Sequence, residues 1–421
     1  MALQITSAKP DPAMFDLPWS MPLEEWPSDH LAALPRGISR HVVRFVRLGG
    51  KVIAVKEIKA DIARREYAML RALRRLDLPC VRPVGVVTGR EAPDGLALDA
   101  CLVTTHLQFS LPYRALYSQS LRPDTAARLV DALAALLVKV HLAGFWWGDV
   151  SLSNTLFRRD AGAFAAYLVD AETGELHAEL SDGQREHDLD IARVNIAGEL
   201  MDLQAGGFID AETDPVGTSS EIVARYRSLW SELTGVERFE TGDRWRIDER
   251  IRRLNALGFD VDELAMSTDV GGTTIQIQPK VVDAGHHSRR LLRLTGLDVE
   301  ENQARRLLND LDSYRAALDR LGDHEELVAH DWLARVYEPT VAAVPRELAG
   351  KLESAEIFHE VLEHRWYMSE RAGHDIPIEH AVDDYVRWVL PAKPDERSIL
   401  GVDTVAMPVI AWDDDDTLPH D

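Results

Sequence analysis

Two β-rich runs, Val42–Leu48 and Lys51–Ile58, are separated by Gly49-Gly50 alone, and two glycines between such runs suit the tight turn of an antiparallel hairpin. Alternation along the second run puts Val52, Ala54 and Lys56 on one face. A small side chain and a cation then share a surface. That pairing suits the roof over a nucleotide, because alanine leaves room for a ring and the ammonium reaches phosphate. The next stretch, Asp61 to Leu76, has helical period and lines up Ile62, Glu66, Met69, Leu70 and Leu73 on one face. Glu66 therefore interrupts an apolar stripe. A buried carboxylate is costly without a cation, and Lys56, ten residues upstream, is the candidate partner. The alternative puts Glu66 at the edge of the stripe, paired with Arg65 or Arg74.

Ala97 to Leu107 reads as a strand, and Asp124 to Leu142 as a long helix with Leu129, Leu133, Leu136, Leu137 and Val140 on its apolar face, ended by Gly144. Beyond it, polar residues punctuate otherwise apolar segments: Gly148-Asp149-Val150-Ser151-Leu152-Ser153-Asn154, then Tyr167-Leu168-Val169 leading into Asp170. Phosphoryl transfer asks for oxygen ligands to hold magnesium and for a carboxylate that orients the attacking hydroxyl and takes its proton. Asn154 and Asp170 can supply the first, and Asp149 the second.

A strand lysine, a helix glutamate, a Gly-Asp-x4-Asn loop and a strand-terminal aspartate follow one another here in the order of the protein-kinase-like superfamily, which residues 31 to 205 resemble. His141-x2-Gly144 ahead of the Gly-Asp loop, and the short path from Asp170 to Asp188 with no Ala-Pro-Glu, are similar to the lipopolysaccharide kinase (Kdo/WaaP)-like small-molecule kinases. The resemblance implies an α+β chain: a bilobal protein-kinase-like fold followed by a mainly α-helical C-terminal domain. It implies ATP and Mg2+ as cofactors, with Lys56, held by Glu66, on the α and β phosphates, Asn154 and Asp170 on the metal, and Asp149 as base. It puts the adenine-binding hinge at Leu102 to Leu107, where Thr105 and Leu107 offer backbone groups. The phosphate loop falls at Leu34 to Arg40, which has one glycine, Gly37, instead of a glycine-rich run, and where Ser39 or Arg40 can assist. Two further departures are Asp170-Ala171-Glu172 in place of Asp-Phe-Gly, and Trp147 ahead of Asp149. Neither removes a metal or phosphate ligand. So short a segment after Asp170 leaves little room to dock a protein, which favours a small-molecule or glycolipid hydroxyl as acceptor. Two other readings of the same residues are a nucleotide-sensing pseudokinase that regulates what the helical domain binds, and transfer of AMP.

At 421 residues the chain has room for two domains. The expected organisation is an irregular, Pro- and Asp-rich leader at 1–30, a kinase-like ATP-binding domain at 31–210, a mainly helical domain at 216–400 and an acidic tail at 401–421. Helices are expected at 219–233, 243–257, 299–320, 325–338, 346–371 and 378–390, with one β-like run, Thr273 to Lys280. This second part resembles a bacterial domain family of unknown function found fused behind kinase-like domains, which supplies no chemistry. The 70 acidic against 47 basic residues give a net charge of −23, a field that repels nucleic acid and anionic lipid. One local basic patch remains, Lys280, Arg289, Arg290 and Arg293 with His286 and His287; it suits a phosphate, an acidic partner, the kinase-like domain's own acidic face or nucleic acid, or else is a solvated helix with ordinary ion pairs. His359 and His364 stand five apart, about 140° around a helix, which does not aim both at one zinc ion. The run Phe358, Leu362, Trp366 and Met368 reads instead as a packing helix. The two cysteines, Cys80 and Cys101, read as buried thiols. With no signal-like start and no apolar run of about 18 residues, the expected location is cytoplasmic.

Overall fold

The computed structural model describes residues 2–32, 41–117, 123–240, 243, 245–268, 274–320 and 322–397. Its contacts divide it into two units: one holds the chain up to Arg158 together with Ala166–Val223, the other Arg159–Ala165 and Ala224–Arg397.

The first unit begins with β1 (Gln4–Ser7), followed by β2 (Val42–Leu48) and β3 (Lys51–Ile58), whose bounds are those read from the sequence. Gly49 and Gly50 both have positive φ, 53° and 78°, as a tight hairpin turn requires. Then come α1 (Ala60–Arg75), β4 (Arg82–Thr88), which sequence reasoning did not foresee, and β5 (Ala100–Thr105). The five strands form an antiparallel sheet in the order β1-β4-β5-β3-β2. The leader read at 1–30 takes part in this sheet and its core. Besides β1 it supplies Met14, Leu17, Trp19, Leu23 and Trp26, which pack with Val46, Ile53, Val55, Val87 and Val103 in one core. Burial of those large side chains, each worth roughly 1.5–3 kcal/mol, fixes the leader on one face of the sheet. The alternation of β3 then sends Ala54 and Lys56 to the other face.

The unit continues with β6 (Leu111–Pro112), α2 (Tyr113–Leu116), α3 (Pro123–Leu142), β7 (Phe145–Trp146), β8 (Thr155–Asp160), β9 (Ala163–Leu168), β10 (Glu175–Leu176) and α4 (Asp182–Ala205). The stripe Leu129, Leu133, Leu136, Leu137 and Val140 on α3 is buried. Helix α4 starts at Asp182, where Ser181 and Gln184 form a reciprocal capping box. Strands β6, β8 and β9 make a small sheet, and β7 pairs with β10.

Gly206-Gly207 and Asp214 lie between α4 and α5 (Pro215–Thr234), and the two units divide inside α5, between Val223 and Ala224. The second unit holds β11 (Glu237–Glu240), α6 (Trp245–Ala256), β12 (Phe259–Thr268), β13 (Thr274–Ala284), α7 (His286–Thr295), α8 (Glu301–Ala317), α9 (Glu325–Trp332), α10 (Glu338–Ala342), α11 (Ser354–Ala372) and α12 (Ile378–Asp384). Its helices enclose a core of Leu291, Leu307, Leu311, Trp332, Tyr337 and Phe358. The region is mainly helical, but β11-β13-β12 form a three-stranded sheet of which only the run in β13 was expected. Acidic residues break the apolar pattern of β12, Phe259-Asp260-Val261-Asp262-Glu263, and hide the strand. The acidic tail lies outside the described residues.

Candidate active site

Lys56 leaves β3 on the face of the large sheet opposite the leader, and three carboxylates converge on its ammonium. Nζ donates to Glu66 Oε2 at 3.2 Å, to Asp170 Oδ2 at 2.6 Å and to Glu172 Oε2 at 3.0 Å. Glu66 is 1% exposed and lies on the buried side of α1, with Ala63, Tyr67, Leu70 and Leu73. Arg65, the alternative partner for Glu66, donates instead to the backbone oxygen of Glu172. Burial pulls the lysine down, but Glu66, Asp170 and Glu172 outweigh it and hold the ammonium above its ordinary range. Burial first, then the charge of Asp170, pushes Glu66 up to about 8 against the pull of Lys56. Besides Lys56, His41 Nε2 lies 3.4 Å from Glu172 Oε2 at the edge of this cluster.

Asp170 ends the segment after β9, and the catalytic-type loop runs beside it. Val169 N donates to Asn154 O at 3.0 Å, so the backbones of Asn154 and the residue before Asp170 are bonded. Asn154 Nδ2 donates to Asp149 Oδ2 at 3.0 Å, and Asn195 Nδ2 donates to Asp149 Oδ1 at 3.3 Å. The Asp149 carboxylate is thus held by an amide on each oxygen. Trp147, the departure noted ahead of Asp149, ties the loop to the Asp170 segment. Its Nε1 donates to Asp170 O at 2.8 Å, and its own carbonyl accepts from Thr173 Oγ1 at 2.8 Å. Gly148 has φ 74°, and a Cβ there would meet the Trp146 ring at 2.8 Å, so no other residue fits the turn into Asp149 without strain.

Helix α4 anchors this loop through side chains that sequence reasoning missed. Asp188 is fully buried and accepts from Trp147 N and Gly148 N, both at 2.7 Å, and lies 3.1 Å from His141 Nε2. Glu199 accepts from Leu152 N at 2.7 Å and Ser153 N at 3.0 Å, and burial pushes its carboxyl up. Asp188, Asn195 and Glu199 stand at i, i+7 and i+11, the spacing of one helix face, which they share with buried Ala192 and Ile196. Polar residues inside an apolar stripe were the available signal, the same one that singled out Glu66.

Ser39 and Arg40 lie outside the described residues. Thr105 ends β5, paired across the sheet with Ile53, and Leu107 lies in the connection beyond, its carbonyl accepting from Ser110 Oγ at 2.7 Å. The donor set at Asp170 is all oxygen and acidic, with ligand atoms of Glu66, Asp170 and Glu172 within 4.8 Å of one another, and hard oxygen donors suit magnesium. Asn154 spends its amide nitrogen on Asp149, which leaves Oδ1 as the atom it could offer a metal. The residues present therefore fit a divalent cation.

Elsewhere the discounted signals have local explanations. His286 and Arg289 pair with Asp260, His287 with Glu301 at 2.7 Å, and Arg290 with Glu325, so much of the basic patch is engaged. The Lys280 side chain lies outside the described residues. His364 pairs with Asp384 at 2.8 Å, while His359 is buried beside Glu363. On the packing helix Phe358 and Leu362 are buried as expected, but Trp366 is exposed. Cys80 and Cys101 are free buried thiols, each pushed up to about 12 chiefly by burial.

Residues 53–198 match the model of the lipopolysaccharide kinase (Kdo/WaaP) family, and residues 228–390 match that of a domain of unknown function, DUF4032. The first unit thus carries a kinase-like domain. Among solved structures, "WaaP in complex with acyl carrier protein" is 17% identical, with 54% of this chain and 89% of that chain covered and a TM-score of 0.34. No curated protein matches the chain. No helix among the described residues is long and apolar enough to cross a membrane.

Proposed function

From the kinase-family match and the meeting of Lys56, Glu66 and Asp170, we propose that the chain is an ATP- and Mg2+-dependent phosphotransferase acting on a hydroxyl of a small molecule or lipid-linked sugar. The observation that carries this reading is the placement of one ammonium within 3.2 Å of both a buried helix carboxylate and a loop carboxylate. Glu66 orients Lys56, which binds phosphate oxygens of the nucleotide. Backbone groups at Thr105 and Leu107 bind the adenine edge. Asn154 Oδ1 and Asp170 hold magnesium, which when bound offsets the charge that develops on the transferred group. Asp149, fixed by Asn154 and Asn195, accepts the proton of the acceptor hydroxyl as its oxygen attacks.

Thermal unfolding with ATP alone, Mg2+ alone and both together tests the nucleotide site. At about 100 times the dissociation constant, Mg·ATP adds roughly 2.7 kcal/mol, a gain expected in the wild type and absent in Asp170→Ala. A wild-type protein indifferent to Mg·ATP would sink the reading. Glu172 favours one rival, a nucleotide-sensing pseudokinase, because its carboxylate occupies Lys56 at 3.0 Å, where phosphate must bind. Turnover that vanishes in Asp149→Ala excludes that rival. Acceptor labelling from α-phosphate in place of γ-phosphate would instead mean AMP transfer.

A further inference from the structure

The hairpin β8–β9 joins the two metal-binding residues of the proposed reading. It begins directly after Asn154 and ends two residues before Asp170, and Val169 N to Asn154 O closes its base at 3.0 Å. Its tip, Arg159–Ala165, belongs by its contacts to the second unit. The turn is Ala161-Gly162 with φ 50° and 79°. An alanine in the left-handed region is strained, and such a conformation persists only where the surroundings over-determine it.

The surroundings do so with buried polar groups. Ala161 N donates to Glu356 Oε2 at 2.9 Å, and Gln303 Nε2 donates to the same oxygen at 2.9 Å and to Arg159 O at 3.1 Å. Asp160 Oδ1 accepts from Gln303 N at 2.7 Å and Oδ2 from Asn302 Nδ2 at 2.9 Å, so this carboxylate caps the first turn of α8. Arg159 Nε donates to Glu396 Oε1 at 2.8 Å. Asp160, Gln303, Glu356 and Glu396 are all 3% exposed or less. A hairpin that needed only to turn would do so in water with Asn-Gly. Burying the charges of Arg159 and Asp160, and that of Glu356 against the Ala161 amide, is costly and contributes geometry more than stability.

We propose that the second unit positions the magnesium-binding residues by gripping the tip of this hairpin, with Glu356 and Gln303 as positioning residues. The inference rests on the proposed nucleotide site and gives the second unit a role there. A paired two-stranded ladder transmits displacement of its tip to its base. Loosening the grip therefore alters how Asn154 and Asp170 face one ion, and leaves the hinge untouched.

The test uses the full chain and a fluorescent ATP analogue, titrated with Mg2+ at fixed nucleotide and, separately, without metal. Glu356→Ala is expected to raise the half-saturating Mg2+ concentration at least fivefold while metal-free nucleotide affinity stays within twofold. Glu356→Gln, which keeps an acceptor oxygen, is expected to recover most of that loss. A folded Glu356→Ala protein with wild-type Mg2+ dependence would overturn the proposal. Hydrogen exchange on the wild type makes the same decision without a variant. Mg·ATP is expected to slow exchange at the amides of 159–162 and of the first turn of α8, and unchanged exchange there overturns the proposal. If the wild type itself fails to bind Mg·ATP, the phosphotransferase reading fails and this one with it. Binding that the variant leaves unchanged removes this proposal alone.

Discussion

Asp188 has no exposed surface, and two backbone N–H groups and an imidazole point at its carboxylate. Each buried donor left without a partner costs about 1–3 kcal/mol. Asp188→Ala is therefore expected to lower unfolding free energy by about 3 kcal/mol or more, measured by urea denaturation. Asp188→Asn, which keeps one acceptor, should fall between the two. The loss belongs to the turn that aims Asp149, so Asp149 depends on a residue that touches no reacting atom. Asp188 was visible in the sequence only as the end of a short interval after Asp170; its role needed the docking of α4 under Trp147-Gly148.

Single elements here serve more than one purpose. Helix α4 buries Leu189, Ile196 and Leu200 and, through Asn195 and Glu199, holds the loop from Asp149 to Ser153. Helix α8 starts on a carboxylate borrowed from the hairpin tip. That carboxylate, Asp160, is pushed up from 3.8 to about 7, first by burial and then by the charge of Glu300. A raised carboxyl pKa means that the folded chain keeps a proton that the unfolded chain has released between those values. Stability from this group is present below about pH 4 and is lost as pH rises through 7, by at most about 1.4 kcal/mol per pH unit. In thermal melts from pH 5 to 8, Asp160→Asn should be less sensitive to rising pH than the wild type; an equal slope in both would refute the assignment. Since other groups titrate in the same range, the comparison between the two proteins carries the prediction.

Across the whole molecule, a net charge of −23 and the engagement of His286, His287, Arg289 and Arg290 with Asp260, Glu301 and Glu325 leave little field to attract a polyanion. No retardation of duplex DNA is expected in a gel shift even at about 50 mM salt, where phosphate contacts are strongest. A shift abolished by Arg289→Ala would restore the nucleic-acid reading. Both units are built on the same economy of charge: cations that stand out in the sequence meet acids brought from elsewhere in the chain.

Local patterns alone determined the hairpin of β2 and β3, whose turn permits only one outcome, the apolar face of α3, and the set Lys56, Glu66, Asp149, Asn154 and Asp170 as chemistry looking for a site. Period and turn residues act over a few positions, so they are legible wherever burial follows them. The tertiary structure alone decided that Glu66 reaches Lys56, that Glu172 joins them, that the leader covers a sheet and that the tip of β8–β9 belongs to the second unit. These facts depend on which faces meet across more than a hundred residues. Meeting is settled by the total apolar area buried and by the need to partner each buried charge, and no short stretch of sequence contains that sum.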